Sequence, residues 1–138
     1  MHLLLSLVAC LAAASTVGQP NLVANGSFEM ARAGDPAAPE AWSAAGNPRV
    51  KQRLTLDAGP DGKRCAKLEC TEFSGDGPDF HAMVCQTGRV AVARERWYRI
   101  SFRARAEGLR AGSVELALSD TRRWENADFS VSVAQGPA

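Results

Sequence analysis

Apolar and polar residues alternate along most of this chain with a period of two, which is typical of half-buried β-strands. The clearest run is Tyr98–Ala106, in which apolar residues alternate with Arg99, Ser101, Arg103 and Arg105. The same alternation predicts further strands at Val50–Leu56, Cys65–Cys70, Val114–Leu118 and Phe129–Val133. After Gln19, no window of helical length keeps a period of 3.6 residues, so we expect an all-β fold.

Turn-forming residues separate the predicted strands. Glycine combined with proline, aspartate or asparagine marks turns at Gly34–Pro36, Gly46–Pro48, Gly59–Gly62 and Gly75–Pro78. Many short strands without helices between them are typical of an antiparallel β-sandwich or jelly roll. The segment Ala31–Ala41 is rich in proline and alanine and is predicted to be a surface loop.

The first residues have the pattern of an export signal. Leu3–Ala14 is apolar but too short to span a bilayer as a helix, and small residues that suit a signal peptidase follow it. We therefore expect residues 1–18 to be a signal peptide and residues 19–138 to form one domain that is secreted or held at the cell surface. A lipoprotein pattern ending at Cys10 makes lipid anchoring there an alternative.

Composition limits the size and the partners of this domain. The chain has 138 residues, of which 46% are hydrophobic, and that is enough for one domain with its own core. Its 16 basic and 15 acidic residues leave a net charge of +1. Because proteins that bind duplex nucleic acid usually carry an excess of basic residues, we expect no nucleic-acid partner.

Three cysteines follow the predicted leader, which is an odd number for a protein in an oxidising compartment. Cys65 and Cys70 should point to opposite faces of one strand, so they should not pair with each other. A disulfide between Cys70 and Cys85 on neighbouring strands is one prediction. The alternative is that all three are small buried apolar residues.

Several short motifs recur in a recognisable order: Asn21–Glu29, Pro39–Trp42, Ala66–Cys70, Val84–Gln86 and Trp97–Ala106. Their order and spacing resemble carbohydrate-binding modules of families four and nine, which are galactose-binding-like β-jelly rolls attached to secreted glycoside hydrolases. The resemblance covers about Asn21 to Val133. It implies a non-catalytic module that binds a polysaccharide or oligosaccharide, with a downstream catalytic domain as a further partner.

The resemblance also implies where a sugar would bind. Aromatic rings stack on sugar rings, and arginine, serine and aspartate exchange hydrogen bonds with hydroxyl groups. The candidate sugar-binding residues are Trp97, Arg99, Ser101, Arg103, Asp120 and Trp124. The alternative is a solvated sheet face on which Arg103 pairs with Glu115 across strands. Trp42 is expected in the core.

Two further expectations follow from the resemblance. Glu29 would be a ligand of a structural calcium ion, which needs several oxygen ligands; alternatively, it is an exposed carboxylate at a strand end. Modules of this kind continue beyond a strand such as Phe129–Val133. We therefore expect the jelly roll to lack its C-terminal strands here, with one sheet edge left unpaired.

Catalytic patterns are lacking in the sequence. Neither a GxSxG nor an HExxH motif occurs, and His81 is the only histidine after the leader. We expect no enzymatic activity from this chain itself. The rival function is that of a structural or cell-surface adhesion β-sandwich without a sugar ligand.

Overall fold

The computed structural model describes residues 2–5, 21–77, 79–93, 95–108, 113–120, 123 and 127–134. These residues contain strands and turns but no α-helix. One short 3-10 turn spans Pro60–Gly62. The strands are β1 (His2–Leu5), β2 (Ala31–Arg32), β3 (Asp35–Pro39), β4 (Ser43–Gly46), β5 (Val50–Ala58), β6 (Arg64–Phe73), β7 (Ala82–Cys85), β8 (Arg105–Glu107), β9 (Ser113–Ser119) and β10 (Ala127–Ala134).

Every strand pair in the described residues is antiparallel. The largest sheet has the order β5-β6-β1-β8, and three two-stranded sheets consist of β2 with β3, β4 with β7, and β9 with β10. The predictions of an all-β chain and of strands at β5, β6, β9 and β10 are therefore confirmed.

The longest hairpin joins β5 to β6. The two strands pair along their whole lengths, with Val50 opposite Phe73 at one end and Ala58 opposite Arg64 at the other. Glycine and proline make the predicted turn between them, and the Gly59 N–H donates to the Lys63 carbonyl at 2.7 Å. This hairpin provides the floor against which the core packs.

The core contains Trp42, as expected from the resemblance, together with Phe28. Phe28 is 0% exposed and Trp42 is 7% exposed, and their ring centroids lie 5.1 Å apart in a tilted arrangement. They pack with Ala66 of β6, and Leu68 is buried two residues further along that strand. Large aromatic side chains account for much of the apolar area that a small domain can bury.

Cys65, Cys70 and Cys85 are free thiols, so the predicted Cys70–Cys85 disulfide does not form. Cys65 and Cys70 are buried on β6, which matches the alternative of small apolar core residues for these two, whereas Cys85 is half-buried. Cys65 is on the face opposite Cys70, and Gly59 lies close to it. A Cβ added at Gly59 would lie 3.3 Å from the Cys65 Cβ.

The prediction of a surface loop at Ala31–Ala41 is wrong. The segment forms the β2–β3 hairpin, which turns at Gly34 with a φ of 80°, a backbone conformation that glycine adopts without strain. Ala38 and Pro39 of β3 are buried. Composition misleads here because β3 is a short edge strand. Pro36 and Pro39 lack an N–H group, but an edge strand needs few N–H donors and can contain both.

The predicted strand Tyr98–Ala106 is also largely wrong. Only β8, Arg105–Glu107, has strand structure, and these three residues pair with Leu4, Leu3 and His2 of β1. Upstream of β8, Tyr98 and Ile100 are each 42% exposed. An alternating sequence adopts strand structure only where a neighbouring strand accepts its hydrogen bonds, and none of the described strands pairs with residues 98–104.

The N-terminal predictions fall mainly outside the described residues. Of the predicted signal peptide, only β1 is described, and Cys10 lies outside. Cleavage, export and lipid anchoring therefore stay predictions. Among the residues that the structure describes, no helix combines the length and apolar character needed to cross a membrane.

Candidate functional site

A buried asparagine organises the region around the core aromatic pair. Asn25 is 8% exposed, and its side-chain amide donates to the carbonyls of Met30 at 2.8 Å and Glu40 at 3.0 Å. Its Oδ1 accepts the Met30 N–H at 3.1 Å. Its own carbonyl accepts the indole N–H of Trp42 at 3.1 Å. Asn25 therefore fixes the β2–β3 hairpin and Trp42 relative to each other.

Two glutamines position the strands on the other side of Trp42. The Gln52 side chain donates to the Ala45 carbonyl at 2.6 Å and accepts the Met83 N–H at 3.1 Å, which links β5 to both β4 and β7. Gln86 directly follows β7 and exchanges two hydrogen bonds with the backbone of Ala24. The chain leaving β7 is thereby held beside the β2–β3 hairpin.

A surface cleft lies where these segments meet. Its volume is about 640 Å³, and small alanine side chains form part of its wall. The residues with hydrogen-bonding or aromatic side chains that line it are Arg32, Glu40, Trp42, Ser43, Thr87 and Arg89. They come from three separate parts of the chain: the β2–β3 hairpin, the start of β4 and the segment after β7.

Arg32 is held in place within the cleft. Its guanidinium donates to the Trp42 carbonyl at 2.6 Å, so the side chain crosses from β2 to the residue before β4. A guanidinium has five N–H donors, and one such bond leaves others for a ligand. Arg89, also exposed, lies on the segment that Gln86 anchors.

The cleft offers both donors and acceptors. Arg32 and Arg89 donate only, the carboxylate of Glu40 accepts, and the hydroxyls of Ser43 and Thr87 do both. Two positive charges and one negative charge give these residues a net charge of +1. The cleft can therefore hold a polar ligand that has several hydroxyl groups, and it favours a neutral or anionic ligand over a cationic one.

Four of the sequence-predicted sugar-binding residues lie on the segment between β7 and β8. Trp97 is 98% exposed, and Arg99, Ser101 and Arg103 are exposed as well. Because Tyr98–Ala104 has no strand structure, these residues do not form the regular polar strand face that was expected. None of them lines the cleft beside Trp42.

The other two predicted residues lie near β9. Asp120 directly follows β9, is half-buried, and its carbonyl accepts the Arg123 N–H at 3.1 Å. Trp124 lies outside the described residues, so its proximity to the arginines is untested. Glu115 lies opposite Ser132 in the β9–β10 pair. The alternative, a pairing of Glu115 with Arg103, stays a prediction.

Glu29, the predicted calcium ligand, is exposed, and its Oε1 accepts the Arg64 N–H at 3.2 Å. This bond joins the loop before β2 to the start of β6. The described part of the chain contains no cluster of three or more acidic, histidine or cysteine side chains suited to a metal. Calcium binding at Glu29 stays a prediction.

The sequence did not point to the cleft, because its residues are far apart in the chain and belong to no motif. Arg32 and Glu40 lie in the segment that composition assigned to a loop, and Thr87 and Arg89 follow a short strand. Asn25 and Trp42 were the residues from which the position of the cleft could have been inferred, since both belong to the motifs quoted above. Trp42 lines the cleft, and Asn25 holds Trp42 and the backbone of Glu40 in place.

Comparison with known proteins does not add a family: no protein-family model, no curated protein and no solved structure matches this chain.

Proposed function

We propose that this chain is an exported, non-catalytic jelly-roll module that binds a polysaccharide or oligosaccharide. The all-β, antiparallel architecture supports this proposal, because β-sandwiches and jelly rolls are built from such sheets. The order of motifs from Asn21 to Val133 supports it independently. The chain would act as an accessory domain beside a glycoside hydrolase.

The observation that carries the proposal is the cleft beside Trp42. Its volume lies within the range of about 300–1,000 Å³ that is usual for sites of small ligands. The two arginines, one carboxylate and two hydroxyls match the mixed donors and acceptors of a sugar ring. Arg32 and Arg89 can each bridge neighbouring hydroxyl groups with a planar pair of N–H donors.

The cleft binds by hydrogen bonding more than by stacking. Trp42 is only 7% exposed, so a small part of its surface contacts a ligand. The ring serves as a rigid floor that the Asn25 carbonyl holds through the indole N–H. A sugar seated on it would keep its hydroxyl groups within reach of side chains from three segments.

A second candidate function rests on a different observation. Trp97 is 98% exposed, and Tyr98 and Ile100 are each 42% exposed, so one segment presents three large apolar side chains to solvent. Exposed apolar patches often mark contacts with another protein. This feature favours the alternative of a structural or adhesion domain without a sugar ligand.

Affinity electrophoresis of the full chain tests the proposal. We expect gels that contain a glucan, a xylan or a uronic-acid polymer to retard the wild type in at least one case. Arg89→Ala should weaken that binding by about tenfold or more, since a hydrogen bond to a charged group contributes about 1.5–3 kcal/mol. Arg49→Ala is the matched control, because Arg49 is exposed and lies outside the cleft.

Three other outcomes would count against the proposal. Migration unchanged on every polymer would overturn sugar binding. Retardation that Arg89→Ala leaves intact would overturn the cleft as its site. Retardation lost in Trp97→Ala but kept in Arg89→Ala would move the site to the segment before β8.

A further inference from the structure

The sequence contains one asparagine followed by glycine, Asn25–Gly26, and this pair lies beside Trp42. Asparagine before glycine is chemically labile, because glycine has no side chain to keep its backbone nitrogen away from the carboxamide. The Gly26 nitrogen can attack the Asn25 Cγ, and the side-chain nitrogen leaves as ammonia with the Gly26 proton. A succinimide ring remains. Water then opens the ring and gives aspartate or isoaspartate at this position.

The folded chain holds both reacting groups in place. The Asn25 carboxamide makes three hydrogen bonds to the residues that flank the β2–β3 hairpin, with lengths of 2.8, 3.0 and 3.1 Å. The peptide group between Asn25 and Gly26 is held through its carbonyl oxygen, which accepts the Phe28 N–H at 3.0 Å and the Trp42 indole N–H at 3.1 Å. Ring closure turns the carboxamide and removes its NH2 group, so it requires the bonds of that group to break.

Both residues are also shielded from water. Asn25 is 8% exposed, and Gly26 is buried beside it. Local opening of a folded chain exposes such groups for short times, at a frequency set by the free energy of opening. We propose that Asn25 is a modification site that deamidates only while the β2–β3 hairpin is separated from it, and that the product prevents the hairpin from closing again. This proposal is independent of sugar binding.

The product cannot restore the native hydrogen bonds. The NH2 group of Asn25 donates to the carbonyls of Met30 and Glu40, and a carboxylate has no proton to donate. Oxygens of like partial charge would face each other there, which is costly in a buried position. The isoaspartate form adds one carbon to the main chain, so it also displaces the carbonyl that bonds Trp42. Either product leaves the hairpin without its anchor.

Separation of the hairpin would dismantle the cleft beside Trp42. The hairpin supplies Arg32, and Glu40 follows it directly. The Arg32 guanidinium reaches the Trp42 carbonyl at 2.6 Å because β2 lies beside that residue. A deamidated chain would therefore lose the arrangement of these side chains, whatever ligand the cleft takes. Since the ammonia diffuses away, the change does not reverse.

Gly26 offers a variant that blocks the chemistry and keeps the fold. Its φ lies outside the left-handed region, so a residue with a side chain can adopt its backbone conformation. A Cβ added there would lie 3.3 Å from the Nδ2 of Asn21, which is the end of an exposed side chain and can move. Gly26→Ala should therefore fold like the wild type and slow the attack on Asn25, because the methyl group hinders the backbone nitrogen.

Peptide mass spectrometry of the full chain tests the site. The chain is kept at mildly alkaline pH in buffer and in guanidinium chloride, and deamidation is measured at each asparagine. In denaturant, Asn25 should react faster than Asn21, which leucine follows, and Gly26→Ala should remove most of that excess. In buffer, the rate at Asn25 should fall about tenfold or more, because opening is rare. Equal rates in buffer and denaturant, or no excess at Asn25 in denaturant, would overturn the proposal.

Asn25→Asp tests the consequence of the modification. Aspartate, like asparagine, tolerates the φ of 46° at this position, so the variant changes chiefly the hydrogen-bond donor. At neutral pH we expect hydrogen exchange at the Trp42 indole N–H to rise about tenfold or more, since its anchor opens. Asn21→Asp is the matched control, because it adds the same charge at an exposed residue. Exchange in Asn25→Asp that equals that of the control contradicts the proposal.

Refolding decides the matter if Asn25→Asp does not fold. The wild type is partly deamidated in guanidinium chloride, returned to buffer and treated briefly with a protease. The proposal predicts that the chains that survive digestion contain unmodified Asn25 and that the modified residue collects in the digested fraction. Equal proportions of the modified residue in the two fractions would show that the hairpin closes over it, which overturns the proposal.

Discussion

Residues 21–86 and residues 87–108 carry similar apolar alternation but differ in what they bury. In the first region, Phe28 and Trp42 are 0% and 7% exposed and lie against β6. In the second, Trp97 is 98% exposed and Ile100 is 42% exposed. Alternation makes a segment able to form a strand. Its side chains contribute to stability only if a neighbouring strand pairs with it and other residues bury one of its faces.

Polar contacts differ between the two regions in the same way. Asn25 and Gln86 connect segments that are distant in sequence, and each makes more than one hydrogen bond. In the second region, the Tyr98 hydroxyl accepts the N–H of Ala93, five residues away, at 2.8 Å. Long-range contacts resist local opening, so the first region should be the more stable unit.

The largest expected effect comes from removing a core side chain. Phe28→Ala should destabilise the chain by about 3–5 kcal/mol, because it leaves a cavity against Trp42. Ile100→Ala, in the second region, should change stability by no more than about 0.5 kcal/mol. Urea unfolding followed by circular dichroism measures both. Equal losses at the two positions would show that the two regions are packed alike.

A smaller loss is expected from the buried amide. Asn25→Ala removes three side-chain hydrogen bonds, to the Met30 N–H and to the Met30 and Glu40 carbonyls, and should cost roughly 2–3 kcal/mol. Asn21→Ala is the matched control, since its side chain accepts one exposed N–H, that of Val23. Thermal unfolding should separate the two variants clearly. Similar midpoints would contradict the organising role of Asn25.

The smallest effect concerns charge on β6. A hydrogen bond to Glu69 raises the pKa of Lys67 above its usual 10.5, with the nearby carboxylates of Glu69 and Asp57 adding to the shift. The folded state therefore binds this proton more tightly than the unfolded state. The resulting stability is fully present below pH 10.5 and is lost as the pH rises through the higher folded pKa.

Lys67→Gln isolates that contribution. Stability is measured for the wild type and the variant between pH 9 and about pH 12, and the difference cancels the titration of other groups. We expect the wild type to keep a constant small advantage at the lower end and to lose it above pH 10.5. An advantage that grows with pH would contradict the assignment to the Lys67–Glu69 pair.

Sequence patterns predict those parts of this fold that depend on neighbours close in the chain. The β5–β6 hairpin follows from alternation and turn residues, and the burial of Trp42 was expected from the resemblance. The Tyr98–Ala106 strand is mostly absent because alternation does not show whether a neighbouring strand is present, and none of the described strands pairs with residues 98–104. The β2–β3 hairpin was missed because its support comes from the Asn25 side chain, which no local pattern shows.

The candidate site was less predictable than the fold for the same reason. Arg32 and Arg89 come together only because Asn25 and Gln86 hold their segments beside Trp42. Trp97, Arg99 and Arg103, which the motifs suggested, lie on the segment before β8, and Trp124 lies outside the described residues. A binding site built from loops depends on long-range contacts that a single sequence does not display.

The position of a bound oligosaccharide tests the central claim most directly. Nuclear magnetic resonance spectra of the full chain are recorded while a fragment of a retarding polymer is added. The account predicts shifts at the Trp42 indole N–H and at the backbone amides of Ser43, Thr87 and Arg89. Shifts confined to Trp97 and Arg99, or none at saturating oligosaccharide, would contradict binding in the cleft.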